Sequence, residues 1–420
     1  MAIVRPFRAV RPTPELAPKV TAHPYDVMNY EEACEMVKGN PYSYLHVDRS
    51  EVDLPPETDH YSQVVYEKAA SNLHKMKKDG ILIQEEKPCF YVLRQIMNGR
   101  AQTGIVACAS IDDYMNNVIK KHELTRAEKE EDRCNHVDFC NANTGVVFLA
   151  YRARKGINDI VAKAMQAAPL YDFMFEDVQQ TVWVISCPND IAGLEKEFKD
   201  TDSLYIADGH HRSASAVRIG RKRRAQNPDY TGEEEFNYFL CVLFPDEQLY
   251  CMDYNRVVAD LNGLTCDQFF AKVGEKFEIK ELDKALGNDA QGKTDVQEKH
   301  TFGMYIDKKW YLLKAKPGTF DDKDVVQQLD VAILQNNLLH PILGIGDPRV
   351  DKRIDFVGGI RGLKELEKRV DDGAAVAFAM CPTSMSDLFA IADAGKIMPP
   401  KSTWFEPKLA SGLFLHLLEE

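Results

Sequence analysis

No stretch of the chain reaches the roughly 18 uninterrupted apolar residues that a membrane-spanning helix needs, so a membrane partner is not expected. The first residues, Met1-Ala2-Ile3-Val4-Arg5-Pro6, lack the apolar core of a signal peptide, and the default expectation is a cytoplasmic location. Positive charge is in deficit. Fifty-two Lys and Arg stand against 65 Asp and Glu, for a formal net charge of −13. A phosphate backbone rewards the opposite balance, and no helix-turn-helix pattern stands out, so no nucleic-acid partner is expected. The ten cysteines form no C-x-x-C pair. Most lie in apolar surroundings, as Cys241 does in Phe239-Leu240-Cys241-Val242-Leu243, which reads as reduced, buried thiols rather than a zinc site. The G-x-x-x-x-G-K-[ST] loop is missing, as is the protein-kinase motif set, so both familiar phosphate cradles are excluded. Internal repeats and low-complexity tracts are absent too.

What is present is an ordinary globular composition, 45% hydrophobic and 28% charged over 420 residues. That length exceeds one small core and predicts two or three lobes. We place them at 1–150, an N-terminal α/β lobe; 151–262, a phosphate-binding core; and 263–420, a C-terminal α/β lobe whose tail returns to the site. Helical spacing predicts helices over 31–38, 58–79, 111–135, 158–168, 190–198, 213–225, 266–277, 322–339 and 384–394. Short apolar runs predict strands at 44–47, 181–186, 203–207, 236–244 and 249–257. Asn98-Gly99 between apolar runs marks one hairpin and Asp307-Lys308 another. Helices and strands mix throughout, which gives a mixed α/β (α+β) fold class. A basic cluster, Arg218 with Arg221-Lys222-Arg223-Arg224, reads as the solvated end of a helix.

The chemistry concentrates at Asp208-Gly209-His210-His211-Arg212-Ser213. An apolar strand stops at Asp-Gly and a helix follows at once, which gathers free amides and the positive end of a helix dipole. Arg212 adds a bidentate fork and the imidazoles add donors. Asp208 is the one acid there and can hold magnesium beside phosphates. The residues point to a nucleotide-phosphate site. Adjacent histidines rarely converge on one ion, so a hydrolase with His210 and His211 as metal ligands is the weaker reading.

Asp-Gly-His-His-Arg-x-x-Ala resembles the phosphate-binding box of the ParB/sulfiredoxin superfamily, which includes nucleotide-controlled partitioning proteins, sulfiredoxin and free L-serine kinases. The whole chain is similar to the family known as domain of unknown function 1015. The shared motifs include Pro6-Phe7-Arg8-Ala9, Pro24-Tyr25-Asp26-Val27, Asn40-Pro41 and Arg49-Ser50-Glu51. Further on come His122-Glu123-Leu124-Thr125, Glu131-Asp132-Arg133, and Met398-Pro399-Pro400-Lys401-Ser402-Thr403 with Pro407-Lys408. The resemblance implies a ParB/sulfiredoxin-like core with additional α/β lobes. It also implies a kinase for the hydroxyl of free L-serine or a similar small acceptor, using Mg2+ with ATP, ADP or pyrophosphate.

In that reading Glu51 is the general base, with Asp26 in reserve, and Asp208 and His210 share the catalytic role. Gly209, His210, His211, Arg212, Ser213, Lys401, Ser402, Thr403 and Lys408 hold phosphate or nucleotide. Asp26, Arg49, His122 and Arg133 face the acceptor, and Asp208 takes the metal. The alternative is a ParB-like nucleotide switch or NTPase that performs no transfer. A small-molecule substrate and a nucleotide are the expected partners, and a homo-oligomer is left open.

Overall fold

The computed structural model describes residues 1–419. Its fold is mixed α/β. Contacts divide the chain into two compact units, Met1–Leu249 with Pro407–Glu420, and Tyr250–Glu406. The second unit is therefore an insertion, in sequence, within the first. The boundary expected near 150 falls at the end of the strand Val147–Tyr151, inside a single sheet, and the one near 262 falls beyond Leu249. Among the described residues no helix is long and apolar enough to cross a membrane.

The first unit is built on a nine-stranded sheet. From one edge its strands run Ile119–Lys120, Leu204–Asp208, Val147–Tyr151, Tyr238–Pro245, Arg100–Ser110, Phe90–Met97, Val178–Ile185 and Tyr171–Phe175, with Val4–Arg5 pairing beside Arg100–Ser110. The Asn98-Gly99 turn has positive φ at both residues, 51° and 76°, as a tight two-residue hairpin requires. Tyr238–Pro245 is buried at every residue, which explains its unbroken apolar run: both of its faces are covered. Leu204–Asp208 pairs antiparallel with Val147–Tyr151 but parallel with Ile119–Lys120. The carboxyl ends of those two parallel strands therefore open side by side. The loop after 120 and the turn after 208 meet there.

Several expected elements differ. Residues 44–47 lie on a helical turn, Leu45–Asp48, not a strand; so short a buried apolar run carries no period to tell the two apart. The helix expected over 111–135 is broken into Ile111–Met115 and Ala127–Cys140, with the strand Ile119–Lys120 and a loop between them. His122 and Glu123 are therefore loop residues. The strand expected at 249–257 is interrupted at the fully buried Asp253, and only Asp330–Leu334 and the π-turn Gln335–Leu339 form from 322–339.

The basic cluster is a solvated helix end at Arg218, Arg221 and Lys222, which are exposed, whereas Arg223 and Arg224 are partly covered. Arg218 pairs with Glu131 at 2.5 Å, Lys222 and Arg223 with Asp138 at 2.5 and 2.9 Å, and Arg224 with Asp112 at 2.6 Å. Two of those acids sit on Ala127–Cys140, so the charge run partly serves helix pairing. The final segment threads through the first unit: Ser411 bridges Ala22, Leu415 bridges Val10, and His416–Leu417 pairs with Ala142–Asn143.

The second unit is a six-stranded antiparallel sheet in the order Phe277–Glu281, Lys309–Ala315, Thr301–Ile306, Val376–Met380, Tyr254–Val258, Ile354–Gly358. Its core gathers Val257, Tyr305, Trp310, Val357, Leu366 and Ala377.

Candidate functional site

Asp208 closes the strand Leu204–Asp208, and the helix His210–Gln226 begins two residues later, three residues earlier than its apolar spacing predicts. Only Gly209 separates the two elements. Its φ is +90°, a backbone conformation that favours glycine, whereas the space around it would admit a Cβ at ordinary contact distance from Val147. Because the helix starts at His210, the amides of its first turn have no preceding carbonyl to bond and face the turn's mouth. Arg212 is folded back over this turn. Its Nη1 donates to the Val146 carbonyl at 2.6 Å, Nη2 lies 3.5 Å from Asp26 Oδ1, and its guanidinium sits 5.7 Å from the Tyr25 ring centroid. Ser213 is fully buried, its hydroxyl donating to the His210 carbonyl at 3.0 Å.

Asp208 is ringed by positive charge. Lys408 Nζ comes within 3.8 Å of its Oδ1. Burial disfavours the ionised carboxyl, but Lys408, Arg212 and the Gly209 amide outweigh it and hold its pKa below the usual value. Lys408 thus reaches the turn through the returning C-terminal segment. Lys401, Ser402 and Thr403 belong to the second unit. There Lys401 lies 5.5 Å from the Tyr254 ring, Ser402 donates to the Pro399 carbonyl at 2.6 Å, and Thr403 precedes the short strand Trp404–Phe405.

The two histidines of the box diverge. His211 Nε2 accepts the Arg126 amide at 3.0 Å. His210 turns inward, its ring edge-on to His122 at 4.6 Å and its Nδ1 3.9 Å from Glu123 Oε2. A pair of ligands from the adjacent histidines is therefore ruled out by direction. Burial pushes the His210 imidazole well below its usual value, with His122 and His211 adding to the effect, and burial takes His122 down to about 4.

Beyond Arg212 a small cavity of about 20 Å3 opens, where the polar groups of Tyr25, Asp48, Arg133, His136 and Thr144 meet apolar side chains such as Val147 and Phe239. Arg133 lies 4.1 Å from the Tyr25 ring centroid and donates to Asp132 at 2.9 Å. Burial raises the Tyr25 phenol to about 12. Arg49 donates to the Tyr25 and Met28 carbonyls at 3.1 and 2.9 Å and to Glu51 Oε1 at 2.6 Å. Arg49 therefore ties Glu51 to the loop that carries Tyr25 and Asp26. Glu51 sits on a 3-10 turn, Ser50–Asp53, buried with Arg49.

Sequence reasoning missed Asp48, a buried acid in this cavity, because it follows an apolar run misread as a strand. Nor does the sequence show Glu123 as a partner of His210, because the two meet only through the parallel pairing of Ile119–Lys120 with Leu204–Asp208.

The model of a family described as "Protein of unknown function (DUF1015)" matches residues 4–332. No curated protein matches the sequence. Among solved structures the chain is similar to a free serine kinase in complex with AMP, at 11% identity and a TM-score of 0.35, over 72% of this chain and 86% of that one. It is similar to SbnI with a C-terminal truncation from Staphylococcus aureus, at 9% identity and 0.38, over 74% and 87%. A conserved hypothetical protein from Pyrococcus furiosus is similar at 14% identity and 0.35, over 77% and 98%. Likenesses this loose transfer neither a site nor an activity.

Proposed function

We propose that this chain, which belongs to the DUF1015 family, is a small-molecule phosphotransferase that moves a phosphoryl group from ATP, ADP or pyrophosphate to the hydroxyl of a small acceptor such as free L-serine. The observation that carries the reading is the meeting, around Gly209, of unbonded helix-start amides with the Arg212 guanidinium and the Lys408 ammonium. Amides and cations aimed at one turn are what a polyphosphate needs.

In this reading the amides of residues 210–212 hold the donor's oxygens, and Arg212 and Lys408 neutralise charge as the donor's P–O bond breaks. The acceptor lies toward the Tyr25 cavity, where Arg133 pairs with a carboxylate. Its hydroxyl oxygen forms the new bond to phosphorus and its proton passes to a carboxylate of this chain. Glu51 is the base that the family resemblance favours, and Asp26, beside Arg212, is the one that geometry favours. Magnesium supplies charge neutralisation on the phosphates, and Asp208, an acid with part of its surface open, is the residue that would hold it, in competition with Lys408.

Purified protein given magnesium, each donor in turn and a panel of amino acids and other small hydroxyl compounds is expected to form O-phosphoserine or a similar phosphomonoester, read by phosphorus NMR and mass spectrometry. No phosphorylated product with any donor sinks the reading. A second reading, a nucleotide switch that binds without transfer, would draw on the same helix-start amides and cations around Gly209. Calorimetry showing tight nucleotide binding with no acceptor-dependent turnover would select it.

A further inference from the structure

Phosphoryl transfer as proposed above draws on the amide of His210 but not on the side chains of His122, Glu123 and His210. His122, Glu123 and His210 offer ligand atoms that all lie within 4.8 Å of one another. They arrive from two places: His122 and Glu123 from the loop after Ile119–Lys120, His210 from the first position of the helix after Gly209. The parallel pairing of Ile119–Lys120 with Leu204–Asp208 is what brings the two ends together.

The two imidazoles are 2% and 6% exposed. Among the described residues Nε2 of His210 has no hydrogen-bond partner, and His122 has none of good geometry, only a weak approach to the Ile206 backbone. Buried polar atoms are rarely left so, because each loses its hydration with nothing in return. Packing alone gives no reason to keep two histidines edge to edge in a dry site where leucine or phenylalanine would fill the space. A metal ion gives one: it takes a lone pair from each ring and a carboxylate oxygen.

We infer that His122, Glu123 and His210 bind one divalent transition-metal ion of the zinc class. Two imidazoles and a carboxylate suit zinc, cobalt or manganese and do not suit magnesium, which prefers an all-oxygen shell. Tetrahedral bonds of about 2.1 Å put ligand atoms about 3.4 Å apart, so the 3.9 Å between His210 Nδ1 and Glu123 Oε2 closes with a small side-chain rotation. Three protein ligands leave a fourth position for water or for an oxygen of a bound ligand, the pattern of catalytic rather than structural zinc sites. This site is separate from any magnesium at Asp208 and does not depend on the kinase reading.

The test uses the full chain, stripped with a chelator and titrated with Zn2+ alone, then with Co2+ as a spectroscopic probe. The expected result is one equivalent of Zn2+ bound per chain, and with Co2+ a visible absorption band of low-symmetry, four- or five-coordinate cobalt. Mg2+ in excess should not displace either. His122→Ala and Glu123→Gln should each weaken Zn2+ binding at least tenfold, whereas His211→Ala should not. Glu123 is half exposed, so its variant keeps the test readable if His122→Ala does not fold. Absence of stoichiometric Zn2+ overturns the site, as does binding that Glu123→Gln leaves unchanged. Because no nucleotide is present, these outcomes are distinct from failure of phosphoryl transfer.

Discussion

Arg212 does two jobs at once, and its substitution separates them. Its guanidinium holds the Val146 carbonyl and faces Asp26, so it is fixed before any ligand arrives. Burial works against its charge, but Asp26, Asp208 and Tyr25 more than restore it, and its pKa is raised. A preset cation at the mouth of a helix start is worth most when charge builds on phosphate. Arg212→Ala is therefore expected to cost about 2–4 kcal/mol of transition-state stabilisation, on the order of a hundredfold in kcat/KM. The base is tested by contrast. Glu51→Gln should leave nucleotide affinity intact in calorimetry while lowering kcat, since a base acts on the acceptor. Arg49 would keep its two carbonyl partners in that variant, so the change reads on chemistry as well as on stability. If Glu51→Gln keeps full turnover and Asp26→Asn does not, the base is Asp26. At this scale the sequence was most legible where rare residue types cluster, as at 208–212. It was least legible for Asp48, a lone acid whose partners Arg133 and Arg212 lie far along the chain.

Among elements, turn chemistry was read best. Asn98-Gly99 and Asp307-Lys308 each adopt the positive φ values that a two-residue hairpin demands, and few sequences do this by accident. The helix start at 210 was not visible, because His210, His211 and Arg212 interrupt the apolar spacing that marks the rest of that helix. The route of residues 407–419 was visible only as a dense motif, not as a structural strap. Yet Leu415 is fully buried among Val10, Val20, Tyr44 and Leu45, so the segment closes a core as well as delivering Lys408. Leu415→Ala is expected to cost about 2–5 kcal/mol in urea unfolding, the usual toll of a truncated buried leucine. A loss below about 1 kcal/mol would mean that the strap is not packed as described.

At the scale of the whole molecule, the two units carry buried titratable groups of opposite sign. In the first, burial lowers His136, and Arg133 adds to it, while Asp48 and Asp132 pull the other way. His136 also meets the Val47 carbonyl at 2.9 Å, the Thr144 hydroxyl at 3.2 Å and the Cys140 thiol at 4.0 Å. A group whose pKa is depressed on folding gives stability above its unfolded value, near 6.5 for histidine, and loses it as pH falls. In the second unit burial raises Asp253 to about 6 and Asp330 to about 7. The folded state then holds those protons more tightly than the unfolded chain, so its stability grows as pH falls from about 7 toward 4. Each group changes stability by at most about 1.4 kcal/mol per pH unit within its window. Hydrogen exchange followed by mass spectrometry from pH 7.5 to 5.5, corrected for intrinsic rates, should show Met1–Leu249 opening more readily while Tyr250–Glu406 becomes better protected. Asp330→Asn should flatten the response of the second unit and leave the first unit's unchanged, and His136→Gln should reduce the first unit's slope. Protection moving in the same direction in both units would show that a global term such as net charge, not these buried groups, sets the acid response.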